Sequence, residues 1–167
     1  MDLTPYLPWM KFLHVASLVV FVAGHGVSMA VLFRIRHETV PARMLALLDV
    51  SAWSLTLAGL GLLGLLLTGI VDGVVRGSFG QAWIWLSLVL LFVIAGVMTP
   101  MAGSYLTRVR AGLGQRTRAL KPGDPDPTPL PPEAIAALLD TRAPEMTALV
   151  GGGGLLVILW LMTFKPF

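Results

Sequence analysis

Four long stretches of the chain carry no formally charged side chain: residues 12–33, 50–71, 77–107 and 146–164. The first two run 22 residues each, the third 31 and the last 19. None alternates apolar and polar positions with the period of a half-buried strand. A helix needs about 20 apolar residues to cross about 30 Å of hydrocarbon, and in lipid it satisfies its own backbone groups. The pattern therefore predicts four transmembrane helices, at about 10–33, 47–71, 81–106 and 146–164. The fold class is all-α, an integral membrane four-helix bundle in a single domain over residues 1–167. Composition agrees, with 56% hydrophobic and 13% charged residues, far from the balance of a soluble chain.

The one sizeable polar segment is the loop 107–145. Its centre, KPGDPDPTPLPP, holds six of the twelve prolines, which remove donors and favour extended or polyproline II backbone, so no packed domain is expected there. After it, PPEAIAALLD reads as a short amphipathic helix at about 132–141. Pro131 or Pro132 occupies its first turn, Glu133 suits the N-terminal dipole, and Ile135, Leu138 and Leu139 share a face. Lying on the membrane surface is the expected use of that face, with partner contact the alternative.

Charge sets the expected orientation. Arg34, Arg36 and Arg43 follow the first span, and Arg108, Arg110, Arg116, Arg118, Lys121 and Arg142 follow the third, nine of the twelve basic residues. The positive-inside rule then puts both loops in the cytoplasm and both termini outside, in a bacterial-type cytoplasmic membrane. The N-terminus opens with Asp2 rather than a basic region, so the first helix is expected to remain as an anchor. The lipid bilayer is the expected surrounding. The net charge of +3 reflects loop asymmetry, with no basic stripe interleaved with aromatics, and no nucleic-acid partner is expected.

Small residues predict close packing. Gly61 and Gly64, Gly64 and Thr68, and Ala52 and Thr56 are three or four apart on the second helix, a surface another helix can approach. Four consecutive glycines at 151–154 cost about 1 kcal/mol each in helix propensity relative to alanine, so either close packing compensates or the helix bends. Thr99 and Pro100 mark a kink or the end of the third helix.

Two of the three histidines, His14 and His25, lie inside the first span. Eleven residues is three turns plus about 20°, so both project from nearly one face, about 16 Å apart along the axis. An ionisable residue at that depth is by default a functional hypothesis; the alternative is interhelical hydrogen bonding. Gly24 and Gly26 flank His25 and leave room for something flat beside the imidazole, with Phe21 a ring to cover it. His37, after Arg34 and Arg36, is expected in solvent or facing lipid phosphates. With no cysteine, any metal must rest on His, Met, carboxylate or a partner. Met98 and Met101 share a face of the third helix and suit His25 better than His14, the alternative being soft packing.

The run Trp9-Met10-Lys11-Phe12-Leu13-His14, followed by Phe21-Val22-Ala23-Gly24, is similar to the start of the copper-resistance D and haem-dependent protoporphyrinogen oxidase group of small four-helix membrane proteins. There a Trp-x-Lys-x-x-His entry precedes an aromatic-x-Ala-Gly. Trp83-Ile84-Trp85-Leu86-Ser87 resembles that group's third-helix motif, and the layout looks most like uncharacterised integral membrane proteins allied to it. The resemblance covers residues 9–106 and implies haem b, with His14 as its ligand. It departs from the oxidase pattern at Ser87, where that pattern has a second haem-site lysine; the departure bears on oxidase activity more than on haem binding.

The expected cofactor is therefore haem b, with His14 and His25 the metal-binding candidates and Phe21, Gly24 and Ser87 around them. Its ligand would be neutral imidazole with the second nitrogen hydrogen-bonded. One chain cannot supply four histidines for two bis-histidine haems; a homodimer could pool them, and a membrane redox partner is the other expected associate. The function expected is a cytochrome b-like redox or haem-linked role. The alternatives are a non-catalytic membrane subunit or assembly factor with structural histidines, and copper handling by Met10 and His14. Asp49 and Asp72 bound opposite ends of one helix, and no hydrolase or metalloprotease motif occurs.

Overall fold

The computed structural model describes residues 4–117 and 120–167; Arg118 and Ala119 of the polar loop, and Asp2, lie outside them. After a single 3-10 turn, α1 spans Leu7–Ile35, α2 Pro41–Val75, α3 Ala82–Gly112, α4 Pro132–Leu139 and α5 Ala143–Phe164. No strand occurs among the described residues. Four helices are long and apolar enough to cross a membrane, α5 joining α4 in the last of them. The long helices extend beyond the uncharged stretches: α2, at 35 residues, is about 52 Å long, against about 30 Å of hydrocarbon. Pro100 does not end α3, which continues through it to Gly112.

The bundle is two helix hairpins, α1 against α2 and α3 against α5, with few contacts between the pairs. Small residues form the α1–α2 seam. A Cβ placed on Gly61 would lie 2.5 Å from the Phe21 backbone nitrogen and 2.9 Å from the Ser17 carbonyl oxygen. One placed on Gly64 would meet the Ser17 hydroxyl. Farther along, the buried hydroxyls of Ser28 and Ser51 hydrogen-bond across the seam at 2.8 Å, and Ser54 donates to the Ser51 carbonyl. Lipid tails offer helices no hydrophobic reason to associate, so this seam rests on close backbone approach and shared hydroxyls. On α5, Gly151 faces Met98 and Gly154 faces Ile94 of α3, while Gly152 and Gly153 meet nothing. Two of the four glycines thus serve close packing, in a helix that runs unbroken through them.

The basic end, where the α1–α2 loop meets the end of α3, is built differently. Leu32, Ile35, Met44, Leu48, Tyr105, Val109, Ile135 and Leu139 form one buried apolar cluster. Ile135 and Leu139 come from α4, so the apolar face expected to lie on the membrane surface closes this cluster instead. The reason is geometric: Gly112 has no side chain, and Ile135, Leu130 and Leu138 fill the space beside it. The Pro-rich segment packs down as a strap. Leu130 donates its N–H to the Gly112 carbonyl, and the Arg116 guanidinium donates to the carbonyls of Asp124 and Lys121 and to the Asp126 carboxylate. Two ion pairs cross between the hairpins here, Arg36 with Glu145 and Arg110 with Asp49 at 2.7 Å.

Candidate functional site

His14 and His25 leave α1 toward different neighbours. His14 lies against α2, where its Nδ1 is 2.9 Å from the Thr68 hydroxyl and its Cε1 is 3.2 Å from the position a Cβ on Gly69 would take. The Thr68 hydroxyl already donates to the Gly64 carbonyl at 2.6 Å. With its one hydrogen given to Gly64, the hydroxyl's remaining role toward His14 is to accept from Nδ1–H; in that tautomer Nε2 carries the lone pair. The two contacts orient the ring plane, as second partners of ligating histidines do.

His25 is about three helical turns nearer the basic end and turns to α5. Its ring stacks on Phe21, centroids 5.7 Å apart and planes within 16°. Its Nε2 is 3.4 Å from the position a Cβ on Gly151 would occupy, and the Met98 Sδ is 2.6 Å from the same point. Sequence spacing therefore placed the two histidines on one side of α1 but not in one site, because α2 covers that side at His14 and α5 covers it at His25.

The remaining expected site residues separate similarly. The space beside Gly24 is not open for a flat ligand: a Cβ there would lie 2.6 Å from the Ser54 carbonyl oxygen and 2.7 Å from the Ala58 nitrogen. Gly24 serves the α1–α2 seam, while the open glycine is Gly26, with nothing within 4 Å of its missing Cβ. Phe21 accompanies His25 rather than His14. Ser87 is buried, and its hydroxyl donates to the Trp83 carbonyl one turn back, so it presents no free donor to a ligand. His37 is exposed and lines, with Arg36, Met44, Leu113, Ile135 and Asp140, a cavity of about 850 Å³ at the basic end. That cavity was not foreseen, since its walls are separated by about a hundred residues and only the docking of α4 brings them together.

Among the described residues no three of His, Asp and Glu gather in a metal-ligating group, so any ion would depend on imidazole paired with sulfur or with an external ligand. The residue sequence reasoning missed at His14 is Thr68. The signal was there in the small-residue spacing of Gly64 and Thr68, read only as packing. Tyr105 and Thr147 each bury a hydroxyl that has no partner among the described residues, both in the half of the bundle between His25 and the basic end.

No curated protein and no solved structure matches the chain. A family model does, over residues 8–166, nearly the whole chain, and its description is "Predicted integral membrane protein (DUF2269)". With four apolar helices long enough to cross a bilayer, two small-residue hairpins and a match of that extent, the chain belongs to this family of integral membrane proteins.

Proposed function

We propose that the protein is a small membrane haem protein that holds haem b through His14 and has a redox or haem-linked role. The observation that carries this reading is the Gly64–Thr68–His14 hydrogen-bond chain, which engages Nδ1 of the imidazole and leaves Nε2 outside it. That donor set fits haem: an axial imidazole whose other nitrogen is tied to the protein is the usual arrangement. The Trp-x-Lys-x-x-His entry at residues 9–14, similar to that of the copper-resistance D and protoporphyrinogen oxidase group, supports the same residue. A bound haem would supply one-electron exchange. The chain itself contributes the orientation of His14 by Thr68 and the close approach of its ring to Gly69. Among the described residues no cluster of His, Asp and Glu joins His14, so any further ligand to a bound haem would come from a methionine such as Met10, a partner, a second copy or an exogenous group.

The same hydrogen bond favours a second reading, a membrane subunit or assembly factor in which His14 ties α1 to α2 and binds nothing, because a histidine that has satisfied one nitrogen serves well as interhelical glue. Both readings place the protein in a cytoplasmic membrane of bacterial type with its termini outside. They separate on one experiment. Expressed with ample haem supply and purified in detergent, the protein is expected to show a Soret band that His14→Ala abolishes and His37→Ala leaves intact. A colourless protein that stays colourless on adding haem, with His14→Ala lowering only thermal stability, selects the structural reading.

A further inference from the structure

His25 is the one intramembrane ionisable side chain that the haem reading does not use, and its surroundings are unlike those of His14. Neither ring nitrogen has a hydrogen-bond partner among the described residues, although the residue is half-buried near the centre of a transmembrane helix. Polar groups in that position ordinarily find one. What lies closest is sulfur. Because Nε2 is 3.4 Å and the Met98 Sδ 2.6 Å from a single point above Gly151, the two donor atoms are no more than 6.0 Å apart. They come from α1 and α3 and meet over a glycine of α5, where a methyl group would displace the Met98 thioether and lie in contact with the imidazole.

We infer that His25 and Met98 form a binding site for a soft monovalent metal cation of the copper(I) or silver type, at the junction of α1, α3 and α5. The chemistry of the donors selects the ion. Thioether sulfur is a soft ligand that binds hard cations poorly, and imidazole accompanies it at soft and borderline metals. Taking zinc's bonds of about 2.1 Å to nitrogen and about 2.3 Å to thiolate sulfur as the scale, donors on opposite sides of such an ion stand roughly 4.4 Å apart. Methionine's flexible side chain can close the remaining distance. Phe21 holds the imidazole plane by stacking. The Met98 thioether fills the space above Gly151, which leaves no place for a macrocycle, so this site is independent of haem at His14, and the two stand or fall separately.

Titration of the purified full-length protein with Ag(I), against a competing chelator, tests it, with Zn(II) as the hard-to-borderline control. Expected are one tightly held Ag(I) per chain, little Zn(II), and a loss of at least tenfold in Ag(I) affinity in each of Met98→Leu, His25→Gln and Gly151→Ala. His14→Ala is expected to bind Ag(I) as the wild type does, whether or not the protein carries haem. Leucine at 98 keeps the packing volume, so that variant folds if the others fail. Wild-type affinity in Met98→Leu, or no stoichiometric Ag(I) in the wild type, overturns the inference.

Discussion

Thr68 shows how much a single hydroxyl can settle. Bonded to both the Gly64 carbonyl and the His14 ring, it orients the imidazole, and its removal leaves a part-buried ring nitrogen unpaired. Thr68→Val is expected to lower thermal stability by about 1–3 kcal/mol, the range for an orphaned buried donor, and Thr68→Ser to restore most of it. Equal stability of valine and threonine in a detergent melt would show that the hydrogen bond is not formed. At the basic end, Glu38 is the residue with a pH signature. Its carboxylate accepts the backbone N–H of Val40 and of Thr39, with Arg43 and Arg34 nearby, and these hold its carboxyl below its usual value of 4.5. A lowered folded value contributes stability above the ordinary carboxylate range and loses it as pH falls through 4.5 toward the folded value. Stability of the wild type relative to Glu38→Gln is therefore expected to be greatest near neutral pH and to shrink on acidification below 4.5. A difference that does not change with pH would exclude the charge as its source.

Among the elements, the α1–α2 hairpin makes the sharpest mechanical demand. Gly61 has backbone where a side chain would go, whereas Gly59, on the same helix, has nothing within 4 Å. Gly61→Ala is expected to cost about 1–3 kcal/mol through overpacking and Gly61→Leu to prevent the hairpin from closing, while Gly59→Ala is neutral; matching melting temperatures for Gly61→Ala and Gly59→Ala would show that the seam is loose. The helices themselves were legible in the sequence, because uncharged length is all a bilayer requires. Partner choice was not. The register of α1 put His14, Phe21, Gly24 and His25 on neighbouring positions, yet Gly24 is spent on α2, His14 on Thr68 and His25 on α5, and nothing in one helix's periodicity says which neighbour covers which turn. The amphipathic face of α4 was equally readable, but its destination depended on the unfilled space at Gly112, some twenty residues upstream.

At the scale of the molecule, the basic loops, the strap and α4 gather at one end, the end the positive-inside rule assigns to the cytoplasm. Protease added to inside-out vesicles is expected to cut near Lys121, which is exposed on the strap, and to spare it in intact cells; the reverse pattern would invert the topology. The same division by ends also divides the forces. Within the span the helices are joined by glycine, serine and backbone contact, which aqueous denaturants scarcely reach, and beyond it by a leucine, isoleucine and methionine cluster like that of a soluble domain, which urea dissolves and lipid does not protect. The molecule thus has two independent failure modes in the laboratory. Urea in a mild long-chain detergent should release α4 and the strap while α1 and α2 stay paired, and a harsh short-chain detergent should part the hairpins while the basic end is still folded, so the choice of solubilising agent decides which half of this protein a purified sample preserves.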